Sequence, residues 1–305
     1  MAQAITRTHP PSGPDPGAGS GVPAQRANIL VRMARSFRRN TGAMIGLVLV
    51  VLLVTVAIFA SWIAPYDVNQ MAAGPRLASP SLDHPFGTDE FGRDLFSRVI
   101  FGAQYTLQVG LTAVGIALSG GLILGVIGGY AGGWIERILM RSVDVLFSFT
   151  ETLIALAAVA ILGPSLTNAM IAVGLAQIPF YARVAYGAVL VEKNTPYFES
   201  ARAIGAGHVR MIVIHLLPNI VPPMIVISTI GFSLAVLAAA GLSFLGLGAQ
   251  PPTPEWGAML SAGRSFFTSA PWVMIFPGIA IAVTVLGFNL LGDGLREVLD
   301  PRQRR

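Results

Sequence analysis

An all-α protein that crosses a membrane several times is the fold class predicted by three features of this sequence. The 305-residue chain is 53% hydrophobic and only 11% charged, whereas a soluble domain carries roughly a quarter charged residues. Residues 42–66, 103–135, 152–182 and 265–292 contain no Asp, Glu, Lys or Arg, and each run exceeds the ~20 residues that span a bilayer. A fifth run, 211–254, has only His215 as an ionisable side chain. Lipid offers no partner to a backbone N–H or C=O, so a spanning segment must satisfy its own, and that selects helices.

Six spans follow, at about 43–64, 106–130, 139–162, 166–190, 220–247 and 271–291. Before the first lies a tail in which PPSGPDPGAGSGVP is too rich in Pro and Gly to bury a core. Arg26, Arg32, Arg35, Arg38 and Arg39 then precede the first apolar run, a juxtamembrane cluster that holds its end in the cytoplasm. With that end inside, sixteen of the twenty Lys and Arg residues fall on the cytoplasmic side, and only Arg76, Arg93, Arg98 and Arg264 outside. Both termini are therefore expected to be cytoplasmic. The basic excess serves topology, so no nucleic-acid partner is expected.

In the first outer loop, Asp89, Glu90, Arg93, Asp94 and Arg98 have opposite charges three to five residues away, a spacing that suits a short amphipathic helix lying on the membrane. Gly120, Gly121, Gly125, Gly128 and Gly129 crowd the second span and predict close packing on another helix. At the cytoplasmic start of the third span stand Arg141 and Asp144, followed by Glu151. An acid at that depth is costly and faces protein or water, so Glu151, Asp144 and Arg141 are candidates for lining a pathway. Beyond the fifth span, Gln250–Trp256 is a proline-stiffened outer loop with Trp256 suited to the membrane interface.

The longest charged stretch of the second half is YFESARAIGAGHVRMIVIHLLP, residues 197–218. Thr195-Pro196 is a helix start. Gly205 and Gly207 break that helix, because glycine accepts the positive φ that closes a helical turn. A second helix is expected to carry Val209, Ile212, Val213 and Leu216 on one face and to end at Pro218. The result is a bracket of helix, elbow and helix.

No catalytic constellation accompanies it. There is no cysteine, the four histidines are scattered, and the sole lysine, Lys193, follows Glu192, so a phosphate-binding G-x-x-x-x-G-K-[ST] loop is absent. Neither enzymatic activity, nor a metal site, nor a cofactor bound by this chain is expected.

Glu199-Ser200-Ala201, Gly205, and His215 with Leu217-Pro218 resemble the EAA loop of ABC-importer permeases, in which E-A-A, three residues, G, nine residues and I-x-L-P follow one another. Ser200 and His215 are the departures. Phe86–Arg98 is similar to the F-G-T-D-x-x-G-R-D-x-x-S-R segment of the peptide-type branch, which includes glutathione and nickel systems, and LSFLGLGAQPPTPEWG is similar to that branch as well. Met140-Arg141 with Asp144 fits the family's M-R-x-x-D, and where the family has proline after the aromatics this chain has Thr150-Glu151.

The resemblance implies a type I importer permease fold, multi-pass in a bacterial inner membrane. Its expected layout is a disordered basic tail over 1–42, a first helix and periplasmic loop over 43–104, a permease domain over 105–292 with its coupling loop at 192–218, and a tail over 293–305. It also implies partners: a homologous second permease, two ATPase subunits that hold ATP and Mg, and an external solute-binding protein that Asp89, Arg93, Asp94 and Arg98 could contact. An ion-gradient-driven carrier is the alternative function, and a structural membrane anchor a third.

Overall fold

Three of the long helices begin where a polar side chain takes up a backbone N–H that the first turn leaves free. In the computed structural model, which describes residues 37–299, Asn40 Oδ1 accepts from the Ala43 N–H at the start of α1 (Thr41–Ile58). A short α2 (Ala60–Ile63) follows. Asp94 caps α3 (Leu95–Ala131) through the Ser97 N–H, and Ser165 caps α6 (Leu166–Lys193) through that of Asn168. The Pro/Gly-rich tail with Arg26, Arg32 and Arg35, and residues 300–305, lie outside the described residues.

The third span is not the single helix expected. It is divided into α4 (Gly133–Phe147) and α5 (Glu151–Leu162), bent by 91°. Hydroxyl side chains compete for backbone partners at the break. Ser148 Oγ donates to the Val145 carbonyl and finishes α4, while Thr150 accepts from the Leu153 N–H and starts α5. At 1.5 Å per residue α5 is about 18 Å long, short of a hydrocarbon core of ~30 Å. Among the described residues there are thus five continuous helices able to cross a membrane, and a sixth crossing only as this broken pair.

The remaining elements are α7 (Pro196–Ala203), α8 (His208–Phe244), α9 (Trp256–Gly263) and α10 (Trp272–Leu299). Pro218 does not end the bracket's second helix, which continues through it to Phe244. Residues Met211–Leu216 form a π-helical turn just upstream, with the Leu217 N–H reaching back to the Ile212 carbonyl. The wider turn accommodates a residue that offers no N–H of its own.

Glycine sets the main packing. α3 and α6 run parallel. A Cβ placed on Gly121 would lie 2.3 Å from the Tyr181 Cβ, and one on Gly125 2.6 Å from the Ala182 carbonyl oxygen. Gly129 meets Val189 in the same way. The close packing expected of this glycine stripe is what the structure has. α1 lies on α10 through Gly46 and Gly294, and α8 runs antiparallel to α10 with Phe232 stacked on Phe288. These contacts put the start of α1, the bracket and the end of α10 at one end of the molecule, and residues 64–94 with α9 at the other.

Two outer features depart from the sequence reading. Residues 64–94 form a looped cap with no surface helix over Asp89–Asp94, because their charges bond inward. Trp256 is buried and not interfacial. Its Nε1–H donates to the Val99 carbonyl at 2.9 Å, in space left open by Gly102. Beside it Glu255 caps α9 through the Gly257 and Ala258 N–H groups, and burial pushes its carboxyl above the ordinary range against those two bonds.

Gly121→Val should therefore cost at least the 1–3 kcal/mol typical of overpacking, since backbone lies in the way. On the same helix a Cβ at Gly115 meets nothing within 4 Å, so Gly115→Val is the control. Thermal melts of the purified protein should show a lowered midpoint for the first and little change for the second.

Candidate functional site

The bracket's geometry follows from its glycine elbow. Gly205 has φ +82°, the left-handed conformation that glycine adopts without strain. The Ala206 N–H bonds the Ala201 carbonyl and the Gly205 N–H that of Arg202, the two bonds of a Schellman closure. Thr195 does occupy the N-cap with Pro196 next, but its hydroxyl donates to the Glu192 carbonyl in place of capping the helix.

Behind the elbow, Phe198, Ala201, Met211, Leu216 and Ile220 are buried against Val126 of α3 and Val189 of α6. This corrects the expected apolar face. Leu216 is buried, but Val209 is 76% and Val213 53% exposed. The π turn adds about one residue per turn and rotates Met211 inward instead. On the free side stand Glu199, Ser200, Gly205 and Ile204, the last 86% exposed, while His215 and Leu217 are half-covered and Pro218 is exposed.

Polar ties fasten this bracket to the ends of the long helices. Tyr130 Oη and His208 Nδ1 are 2.7 Å apart. Lys193 Nζ donates to the Gly129 and Tyr130 carbonyls, which end α3. Glu192, Tyr197 and Asn219 share hydrogen bonds, and both Tyr197 Oη and Asn219 Nδ2 donate to the His215 carbonyl. None of these ties was named in the sequence reading, because most join residues distant in the chain.

The charges of α4 come next. Asp144 is paired with Arg183 of α6, and Arg141 lies exposed beside Glu136, Arg137 and Asp144. Farther in, Glu151 lines a cavity of about 250 Å³ with Phe149, Gln177, Tyr181 and Gly231. Gln177 and Tyr181 were missed from sequence. An amide two residues before Pro179, within an uncharged span, was the available signal.

At the opposite end Asp89, Arg93, Asp94 and Arg98 are all buried. Asp89 Oδ2 accepts from Arg93 Nε at 2.6 Å and lies 3.7 Å from Arg98 Nε, while Asp94 holds His84 at 2.9 Å. Arg98 also donates to the Val68 and Pro252 carbonyls and so ties the loop to the α8–α9 connection. Asp89 serves both arginines and Asp94 serves His84, with little surface left to present outward.

Comparison with known proteins bears on the family and the fold. The family described as binding-protein-dependent transport system inner membrane component matches residues 121–305, and that described as the N-terminal TM domain of oligopeptide transport permease C matches 29–80. A dipeptide transport system permease protein, DppC of Alkalihalophilus pseudofirmus, is 45% identical over 88% of this chain and 89% of its own. A glutathione transport system permease protein, GsiD of Escherichia coli, is 50% identical over the same shares. In fold the chain is similar to a subunit of the inward-facing MetNI methionine ABC transporter, with TM-score 0.56 and 22% identity over 67% of this chain and 97% of that one.

Removing one partner of a buried ion pair strands the other charge at a cost of about 3–5 kcal/mol. Asp89→Ala, which takes from Arg98 its carboxylate and from Arg93 the nearer of two, should open the outer loop to protease in spheroplasts. Asp89→Asn, which keeps an acceptor for the Phe91 and Arg93 N–H groups, should be cut more slowly.

Proposed function

This chain belongs to the family of inner membrane components of binding-protein-dependent transport systems, and on that footing we propose that it forms half of a peptide pathway driven by a separate ATPase. The observation that carries the proposal is the bracket: a rigidly closed elbow with a buried underside and a free face bearing Glu199, Ser200, Ile204 and Gly205. A solvent-facing Ile204 at 86% exposure beside an acid is suited to a groove on another protein.

Di- or tripeptides are the cargo class in this reading, because the dipeptide and glutathione permeases are near relatives across almost their full length. The partners are a second permease of the same fold, two ATPase subunits holding ATP and Mg, and an external binding protein. The chain itself is non-catalytic. An ion-gradient carrier would have no use for the bracket, and family membership removes that alternative.

The mechanism follows from the ties. When the ATPases close, the bracket is displaced, and Tyr130–His208, Lys193 and the Glu192–Tyr197–Asn219 cluster pass that displacement to α3, α6 and α8. Of these, α6 and α8, with α5 and the end of α4, wall the cavity at Glu151. Access then alternates by rigid-body movement about a fixed site. The Asp144–Arg183 pair joins α4 to α6 on the bracket side of that cavity and moves with them.

Two experiments test this. A Gly205→Val, Glu199→Lys double variant should lose most uptake of a labelled dipeptide while its membrane level and second-permease association persist, since a β-branched residue resists positive φ at a cost of roughly 1 kcal/mol or more. Normal uptake would refute the coupling role. For orientation, Leu82→Cys should react with an impermeant thiol reagent in intact cells. Ile204→Cys should react only in inverted vesicles, and there more slowly once the ATPases are bound. The chain has no native cysteine to confuse either readout.

A further inference from the structure

We propose that Glu151 and Gln177 form a contact site for the free amino end of the cargo within the transmembrane cavity. This rests on the peptide reading above and adds to it the chemical group that is recognised and the residues that recognise it.

The cavity between α5, α6 and α8 has about 250 Å³, room for several waters or a small organic group. Its polar side chains are unsatisfied. Both amide atoms of Gln177, Glu151 Oε1 and the Tyr181 hydroxyl are buried without a hydrogen-bond partner. Gln177 is only 3% exposed. Unpaired buried polar groups are costly, and native structures keep few of them without a use. The cavity is also kept open. A Cβ on Gly231 would fall 2.1 Å from Tyr181 Oη, so only glycine leaves that hydroxyl its place.

Glu151 has a simpler reading as a first-turn acid at the positive end of α5. Capping there is already done by Thr150, however, which takes the Leu153 N–H. The carboxylate oxygen in the cavity is left over. It stands at the break of a bent helix, where transporters expose polar groups to their cargo. Phe147, Phe149 and Phe180 show half-exposed rings around the opening, and aromatic faces attract cations.

The set is selective in kind. A carboxylate with aromatic neighbours suits an ammonium group. A buried amide with a free donor and a free acceptor suits the C=O and N–H of the adjoining peptide bond. The nearest ion pair, Asp144 with Arg183, satisfies itself and leaves Glu151 as the charge of this cavity.

The test uses the purified transporter assembled with its second permease and ATPases, with Leu234→Cys as reporter on the cavity wall and Phe180→Cys as a second. A trimethylammonium-bearing methanethiosulfonate should label these sites roughly tenfold faster than its sulfonate-bearing counterpart, the ratio for ~1.4 kcal/mol. Glu151→Gln should erase the difference. Ala-Ala should slow labelling and N-acetyl-Ala-Ala should not. Gln177→Leu should keep the reagent preference and lose the protection by peptide.

Equal rates with the two reagents, or a preference that survives Glu151→Gln, would overturn the site. So would equal protection by both peptides, or loss of assembly in Glu151→Gln, which would assign the acid to a cation of a neighbouring subunit. If the transporter takes up no peptide yet the reagent preference depends on Glu151, the cation site stands and the peptide reading is what fails.

Discussion

The close approach of α3 and α6 is the contact on which the rest of this molecule depends. In lipid there is no hydrophobic drive to bring two helices together, so packing must come from surfaces that fit. Gly121, Gly125 and Gly129 supply that fit, with Tyr181, Ala182 and Val189 seated where side chains would otherwise stand. Two consequences follow at opposite levels of the pair. Midway, Gln177 and Tyr181 are held on the side of α6 that faces α5 and α8, which makes the cavity. At the end, Tyr130 and Lys193 are brought side by side, which makes the platform for the bracket.

The bracket is thus held from both sides of one helix pair. Its underside is apolar, and its edges are tied by His208, Lys193 and the Glu192–Tyr197–Asn219 cluster. Its own turn is closed by backbone bonds around Gly205. A part so constrained transmits displacement and does not absorb it. The π turn at Met211–Leu216 belongs to the same construction, since it lets one helix run from the bracket past Pro218 into the span.

Much of this was legible in the residues. Uncharged runs located the crossings, Gly205 marked the elbow, and the glycine stripe marked a tight helix contact, because each depends on local chemistry alone. The failures come from bonds and contacts that hydropathy and charge spacing do not display. Hydropathy could not divide the third span, since a run of apolar residues looks the same straight or bent, and the break is made by two hydroxyls at Ser148 and Thr150. Charge spacing over Asp89–Arg98 reads as a surface helix until Arg98 is seen to reach Val68 and Pro252. Trp256 reads as interfacial until Gly102 opens a place for it. Gln177 was passed over because one amide in an apolar run gives no pattern, and only its burial without a partner marks it.

The central claim is that the bracket and the α3–α6 pair move as one body. Cysteines at Tyr130 and His208, whose side chains touch, can be joined by a short bifunctional thiol crosslinker in the assembled transporter reconstituted in vesicles. The account predicts that the crosslinked transporter keeps its cargo-stimulated ATP hydrolysis and its uptake, because the link spans parts that do not move relative to each other. Crosslinking that abolishes uptake while the complex stays assembled would contradict it.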